Sequence, residues 1–104
     1  MEENKVTIAK DEFIELIADE IIEIGKDNLG VILGGGIITD IFCKKLFTDD
    51  ESVSITKREY SELTAEAIHD FIHDKNNESV ATITSLLAIV VAGEIKCKLF
   101  KEEV

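Results

Sequence analysis

The segment His69-Asp70-Phe71-Ile72-His73 is the one stretch whose residue types and spacing fit metal ligation. His69 and His73 stand four apart and share a helix face, as paired zinc-binding imidazoles do. Glu66 precedes His69 by three, which gives the Glu-x-x-His element of di-iron helix bundles. That chemistry needs a second such element, and the equivalent positions of the first half hold Ile22 and Lys26. Both histidines lie off the apolar side of their helix, so a surface pair is expected. Glu66, His69 and His73 stand as metal candidates only, and no metal or cofactor is expected.

The other reactive side chains stand in no catalytic setting. Cys43 and Cys97 are too few for a disulfide framework, and free thiols in a reducing cytoplasm are expected. Each has lysine neighbours that could lower its pKa, but neither has a histidine nearby in sequence, so buried inert thiols are the default. Ser52, Ser54, Ser61, Ser79 and Ser85 occur in no nucleophile motif. The run Gly34-Gly35-Gly36 fits no phosphate loop, because no strand precedes it and no Lys-Ser/Thr follows it. An enzyme is not expected.

Charge carries the clearest pattern. Glu12, Glu15, Asp19, Glu23 and Asp27 advance in steps of three or four, and Glu59, Glu62, Glu66, Asp70 and Asp74 repeat them 47 residues on. Such steps place each set along one side of a helix as a ridge of carboxylates. The ridge is either a solvated face or an anionic surface that docks on a basic partner. Its carboxylates recur every ~6 Å, close to the phosphate spacing of one nucleic-acid strand. Lys44, Lys45, Lys96, Lys98 and Lys101 cluster instead in the last turns of the apolar helices, where cations complement the helix dipole.

These residues are positioned by an internal repeat. Val6-Thr7-Ile8-Ala9-Lys10-Asp11-Glu12-Phe13 aligns with Val53-Ser54-Ile55-Thr56-Lys57-Arg58-Glu59-Tyr60, and Lys45-Leu46-Phe47 with Lys98-Leu99-Phe100. The units run over about 6–50 and 53–104, and the second is longer around Lys75 to Val80. Each reads as helix, loop, helix. Thr56 and Glu59 form a capping box, with Ile55 and Tyr60 as its hydrophobic staple. The first unit keeps Ile8, Phe13 and Glu12 but has Ala9 at the cap, which weakens that start by ~1 kcal/mol. The shared apolar positions are Phe13, Leu16, Ile21 and Ile24, matched by Tyr60, Leu63, Ile68 and Phe71. Gly25 to Asn28 and His73 to Glu78 are the loops, their glycine and asparagine suiting C-caps.

The second helices, Leu29 to Phe47 and Ser79 to Phe100, are nearly continuous apolar runs, and their length favours helix over strand. Gly35 and Thr39 align with Ala88 and Ala92; these small residues predict that the two helices cross tightly. The expected fold is all-α: two tandem helix hairpins forming a pseudo-two-fold four-helix bundle in a single domain. Four helices this short cover two such runs poorly, which predicts a homodimer.

Composition narrows the function. With 22 acidic and 11 basic residues the formal charge is −11, which disfavours contact with phosphate backbones and anionic membranes and suits a basic protein partner. Apolar residues make up 45%, enough for a core. The longest uncharged run, Ser79 to Gly93, would span only ~22 Å as a helix, short of a ~30 Å bilayer core. Met1-Glu2-Glu3-Asn4-Lys5 lacks the basic and apolar regions of a signal peptide.

The helix start Ile55-Thr56-Lys57-Arg58-Glu59-Tyr60, followed by an Ala-rich apolar helix ending Lys98-Leu99-Phe100 and an acidic tail, resembles small helical proteins of unknown function encoded by phages and prophages of Gram-positive bacteria. The resemblance covers one unit, about half the chain. It implies a mobile-element setting, where small acidic proteins that block host nucleases, anti-CRISPR proteins among them, are common. The expectation is a non-catalytic binder whose ridges occupy the basic surface of a nucleic-acid-handling protein. The alternatives are a structural module that self-associates through its apolar helices and a metal-binding bundle.

Overall fold

The computed structural model describes residues 4–26, 28–74 and 81–100. Its order is β1 (Lys5–Ala9), α1 (Lys10–Gly25), α2 (Leu29–Leu46), β2 (Ser52–Thr56), α3 (Lys57–His73) and α4 (Ala81–Phe100). The molecule is mostly helical, which broadly fits the expected all-α class, with two short strands that the sequence expectation does not include, paired as a small antiparallel ribbon. Val6 faces Ile55, Thr7 faces Ser54, and Ile8 faces Val53. The offset of 47 that aligns the two halves exchanges the outer pairs and carries Thr7 onto Ser54. The ribbon therefore has a local two-fold centred on that pair, whose hydroxyls lie 2.7 Å apart.

Each strand leads directly into its helix. Ile8 and Ile55 turn into the core while Thr7 and Ser54 face water, the alternation of a half-buried ribbon. The Thr56 hydroxyl accepts from the Glu59 amide at 3.0 Å, and the Glu59 carboxylate accepts from the Thr56 amide at 2.9 Å, completing the capping box. Ala9 caps α1 with no side-chain bond. Ala9→Ser is expected to raise stability by about 1 kcal/mol and Thr56→Ala to lower it by a similar amount, both read from urea midpoints.

The turn chemistry differs from expectation. Gly25 is the last residue of α1, and Lys26 takes the positive φ of 38°. Gly25 is small because Val31 crowds it: an added Cβ would stand 2.7 Å from Val31 Cγ1. Asn28 caps the start of α2, its Oδ1 accepting from the Val31 amide at 3.2 Å. The second expected loop falls largely on residues 75–80, outside the described residues, as do Ser79 at the expected start of α4 and Lys101.

α1 packs on α2 and α3 on α4, while α2 also meets α3 and α1 meets α4. The core between them is a single cluster around Phe13, Ile17, Ile38, Phe42, Phe47, Tyr60, Val91 and Ile95. Phe13 packs against Phe47 and edge-on against Tyr60, with ring centroids 5.7 and 6.5 Å away. The Tyr60 hydroxyl donates to the Ala92 carbonyl at 2.9 Å, which pins α3 to α4, and burial raises its pKa. Ile24, placed on the apolar stripe by its spacing, is exposed, while Ile17, off that stripe, is fully buried.

The small residues of the second helices have specific neighbours. A Cβ on Gly35 would stand 2.9 Å from Ile21 Cγ2, so the tight approach at Gly35 is to α1 rather than to α4. Thr39 returns its hydroxyl to the Gly35 carbonyl at 2.8 Å. Ala88 and Ala92 are buried. α2 and α4 do touch, and a Cβ on Gly34 would lie 3.7 Å from Leu87 Cδ2. Among the described residues no helix is long and apolar enough to cross a membrane.

Candidate acidic docking faces

The capping geometry just described sets the rotation of α1 and α3 on the core. Phe13, Ile17 and Ile21 face inward on α1, and Tyr60, Thr64 and Ile68 on α3. Carboxylates on the flank away from those positions face water, whereas Glu20, beside Ile21, is drawn inward. Glu12, Glu15, Asp19 and Glu23 are all exposed on α1, and Glu59, Glu62, Glu66 and Asp70 on α3, with Asp74 exposed at its C-cap. Asp27 lies outside the described residues.

The ridges are not uniform. Glu59 is committed to the capping box, and its bond from the Thr56 amide holds its carboxyl below the usual range. Lys45, at the end of α2, reaches Glu66 and Asp70 at 2.9 Å each, so the middle of the α3 ridge is partly neutralised. These bonds raise the Lys45 pKa and lower that of Asp70. Lys98, the repeat equivalent of Lys45, reaches back to α1 and pairs with Glu20, with Asp19 and Glu23 close enough to raise its pKa further. The lysines expected to serve their own helix ends thus bridge to the first helix of the other half. Lys44 makes a local pair, 3.0 Å from Asp40.

Glu20 was not among the residues singled out by sequence. It is only 4% exposed and donates no charge to the ridge, because Lys98 holds its carboxylate. The available signal was the alignment: Glu20 falls at the position of Ala67, a buried alanine.

The metal candidates do not assemble. His69 and His73 are both exposed with ring centroids 4.3 Å apart, and His69 Nδ1 lies 3.7 Å from Asp70 Oδ1. Glu66 is turned to Lys45, and among the described residues no three His, Cys, Asp or Glu side chains converge as a metal site. Cys43 is buried, as the default reading has it, and that burial raises its thiol pKa against the lowering effect of Lys10; Cys97 is exposed rather than buried. Both are free thiols.

Two shallow apolar grooves flank the ridges. One, between α1 and α2, is floored by Ile21 and Gly35; the other, between α3 and α4, by Ile68 and Ala92. Comparison with protein-family models, curated proteins and solved structures finds no match to this chain.

Proposed function

We propose that this protein is a non-catalytic binding module that docks its acidic helix faces onto a basic surface of a protein partner. The carrying observation is that all nine described ridge carboxylates are exposed, eight on two helices whose opposite sides are fixed in the core and Asp74 at the C-cap of α3. The architecture behind it is two strand–helix–helix units, about 6–50 and 53–104, arranged as a pseudo-two-fold bundle about the Thr7–Ser54 pair. That arrangement offers two anionic faces on one small body, the α3 face partly neutralised by Lys45. A partner that handles nucleic acid suits such faces best, because its groove is built to hold evenly spaced negative charge. Occupying that groove would inhibit the partner without any chemistry, in keeping with the phage-type resemblance of the Thr56 to Tyr60 helix start.

The strongest contributors are Glu12, Glu15, Asp19 and Glu62, which stand away from the Lys45 pairs. Glu66 and Asp70 must first exchange Lys45 for the partner. The test is capture of the partner from the source cells by the wild type and by a Glu12→Gln, Glu15→Gln, Glu62→Gln variant. The expected result is a single basic partner that elutes as ionic strength rises and that the triple variant binds at least tenfold more weakly. Binding insensitive to salt and to the triple substitution would overturn the reading.

A further inference from the structure

A second surface lies outside the acidic faces. On α4, Ile83 is 75% exposed, Leu86 61% and Val90 50%, and Gly93 is exposed beside them. Their spacing of three, four and three keeps them on one side of the helix, in the pattern of a coiled-coil seam. The corresponding residues of α2 are Gly30, Leu33, Ile37 and Asp40, so the same side of α2 is interrupted by the Asp40–Lys44 ion pair. Repeat symmetry is broken at the end of this side: α2 also exposes Leu33 and Ile37, but it closes on the charged Asp40 where α4 has Gly93.

We propose that this face of α4 binds α4 of a second copy of the chain, antiparallel, as a two-fold dimer. Three observations select that occupant. First, the chain carries a net charge of −11, so two copies repel one another wherever their ridges meet. From Thr82 to Gly93 α4 carries no ionisable side chain, so here two copies can approach without that cost.

Second, the face is complementary to itself. With α4 antiparallel to its copy, seam positions pair as Ile83 with the partner's Gly93 and Leu86 with the partner's Val90. The most exposed side chain thus sits over a residue with nothing within 4 Å of where its Cβ would be. Large lies on small at both ends and branched on branched at the centre, as interdigitating knobs require. Third, Ile83, Leu86, Ile89 and Val90 are each at least half exposed, so the face has apolar surface to bury on pairing, on the scale of a weak, transient interface. The expected association is weak and reversible rather than obligate.

Sedimentation equilibrium on the full chain tests this directly. The expected result is reversible dimerisation with a dissociation constant in the micromolar range. Leu86→Glu should raise that constant at least 100-fold while leaving the helical circular dichroism unchanged. Leu33→Glu, at the equivalent α2 position, should leave it within a factor of about three. Gly93→Leu separates the two orientations, since it blocks the partner's Ile83 in the antiparallel pair but adds an apolar layer to a parallel one. Weaker dimerisation supports the proposal. A monomeric wild type at millimolar concentration, tighter dimerisation of Gly93→Leu, or disruption by Leu33→Glu but not Leu86→Glu would overturn it.

Discussion

Phe13→Ala is expected to cost about 3–5 kcal/mol, much of the ~5–15 kcal/mol that holds a domain of this size together. Phe13 is fully buried, and its ring joins the ends of both halves by touching Phe47 and Tyr60. Truncation leaves a cavity where α1 and α3 enter the core, and neither helix can collapse into it. The strands that lead into those helices are tied to each other by the ribbon. Urea denaturation should show a large fall in midpoint with an unchanged slope. A loss under 1 kcal/mol would mean that the aromatic cluster is not the centre of the core.

Neighbouring glycines of α2 are expected to respond with opposite sign. At Gly35 any side chain meets Ile21, whose Cγ2 and Cγ1 would stand 2.9 and 3.0 Å from the new Cβ. Ile21 is β-branched and buried, so it yields little. Gly35→Val should therefore destabilise by about 3 kcal/mol through overpacking between α1 and α2. At Gly36 nothing lies within 4 Å of an added Cβ, and the residue is an exposed part of the helix. Gly36→Ala should stabilise by about 1 kcal/mol, the difference in helix propensity. Thermal unfolding of both variants checks the pair, and equal effects at the two sites would contradict the packing described for Gly35.

What sequence could foresee depended on how local each signal was. Helix α3 was legible because Thr56, Glu59, Ile55 and Tyr60 form a complete start signal within six residues. The acidic ridges were legible because their period survives in both halves. The strands were not, because Val6-Thr7-Ile8 and Val53-Ser54-Ile55 each offer only three alternating residues, too short a run to distinguish from a helix lead-in. The role of the lysines was not legible either. Lys98 meets Glu20 across 78 positions of sequence and Lys45 meets Glu66 across 21, and no local pattern encodes such a pairing. Helix-end placement explained these lysines well enough to hide their second role. Gly35 was recognised as a close-approach residue, but which helix approached it depends on how α1 lies on α2, which spacing along α2 does not contain.

The ribbon register carries a consequence for how the chain is joined. Its centre falls on residues that alignment of the halves makes equivalent, so the halves meet along it as separate molecules of a symmetric pair would. The turn at Phe47 to Glu51 then acts as a tether. It adds little contact surface of its own, but it fixes the effective concentration of one half near the other at roughly the millimolar level a short linker gives. An association that two free pieces would have to find by diffusion becomes an intramolecular step, independent of how much protein the cell holds.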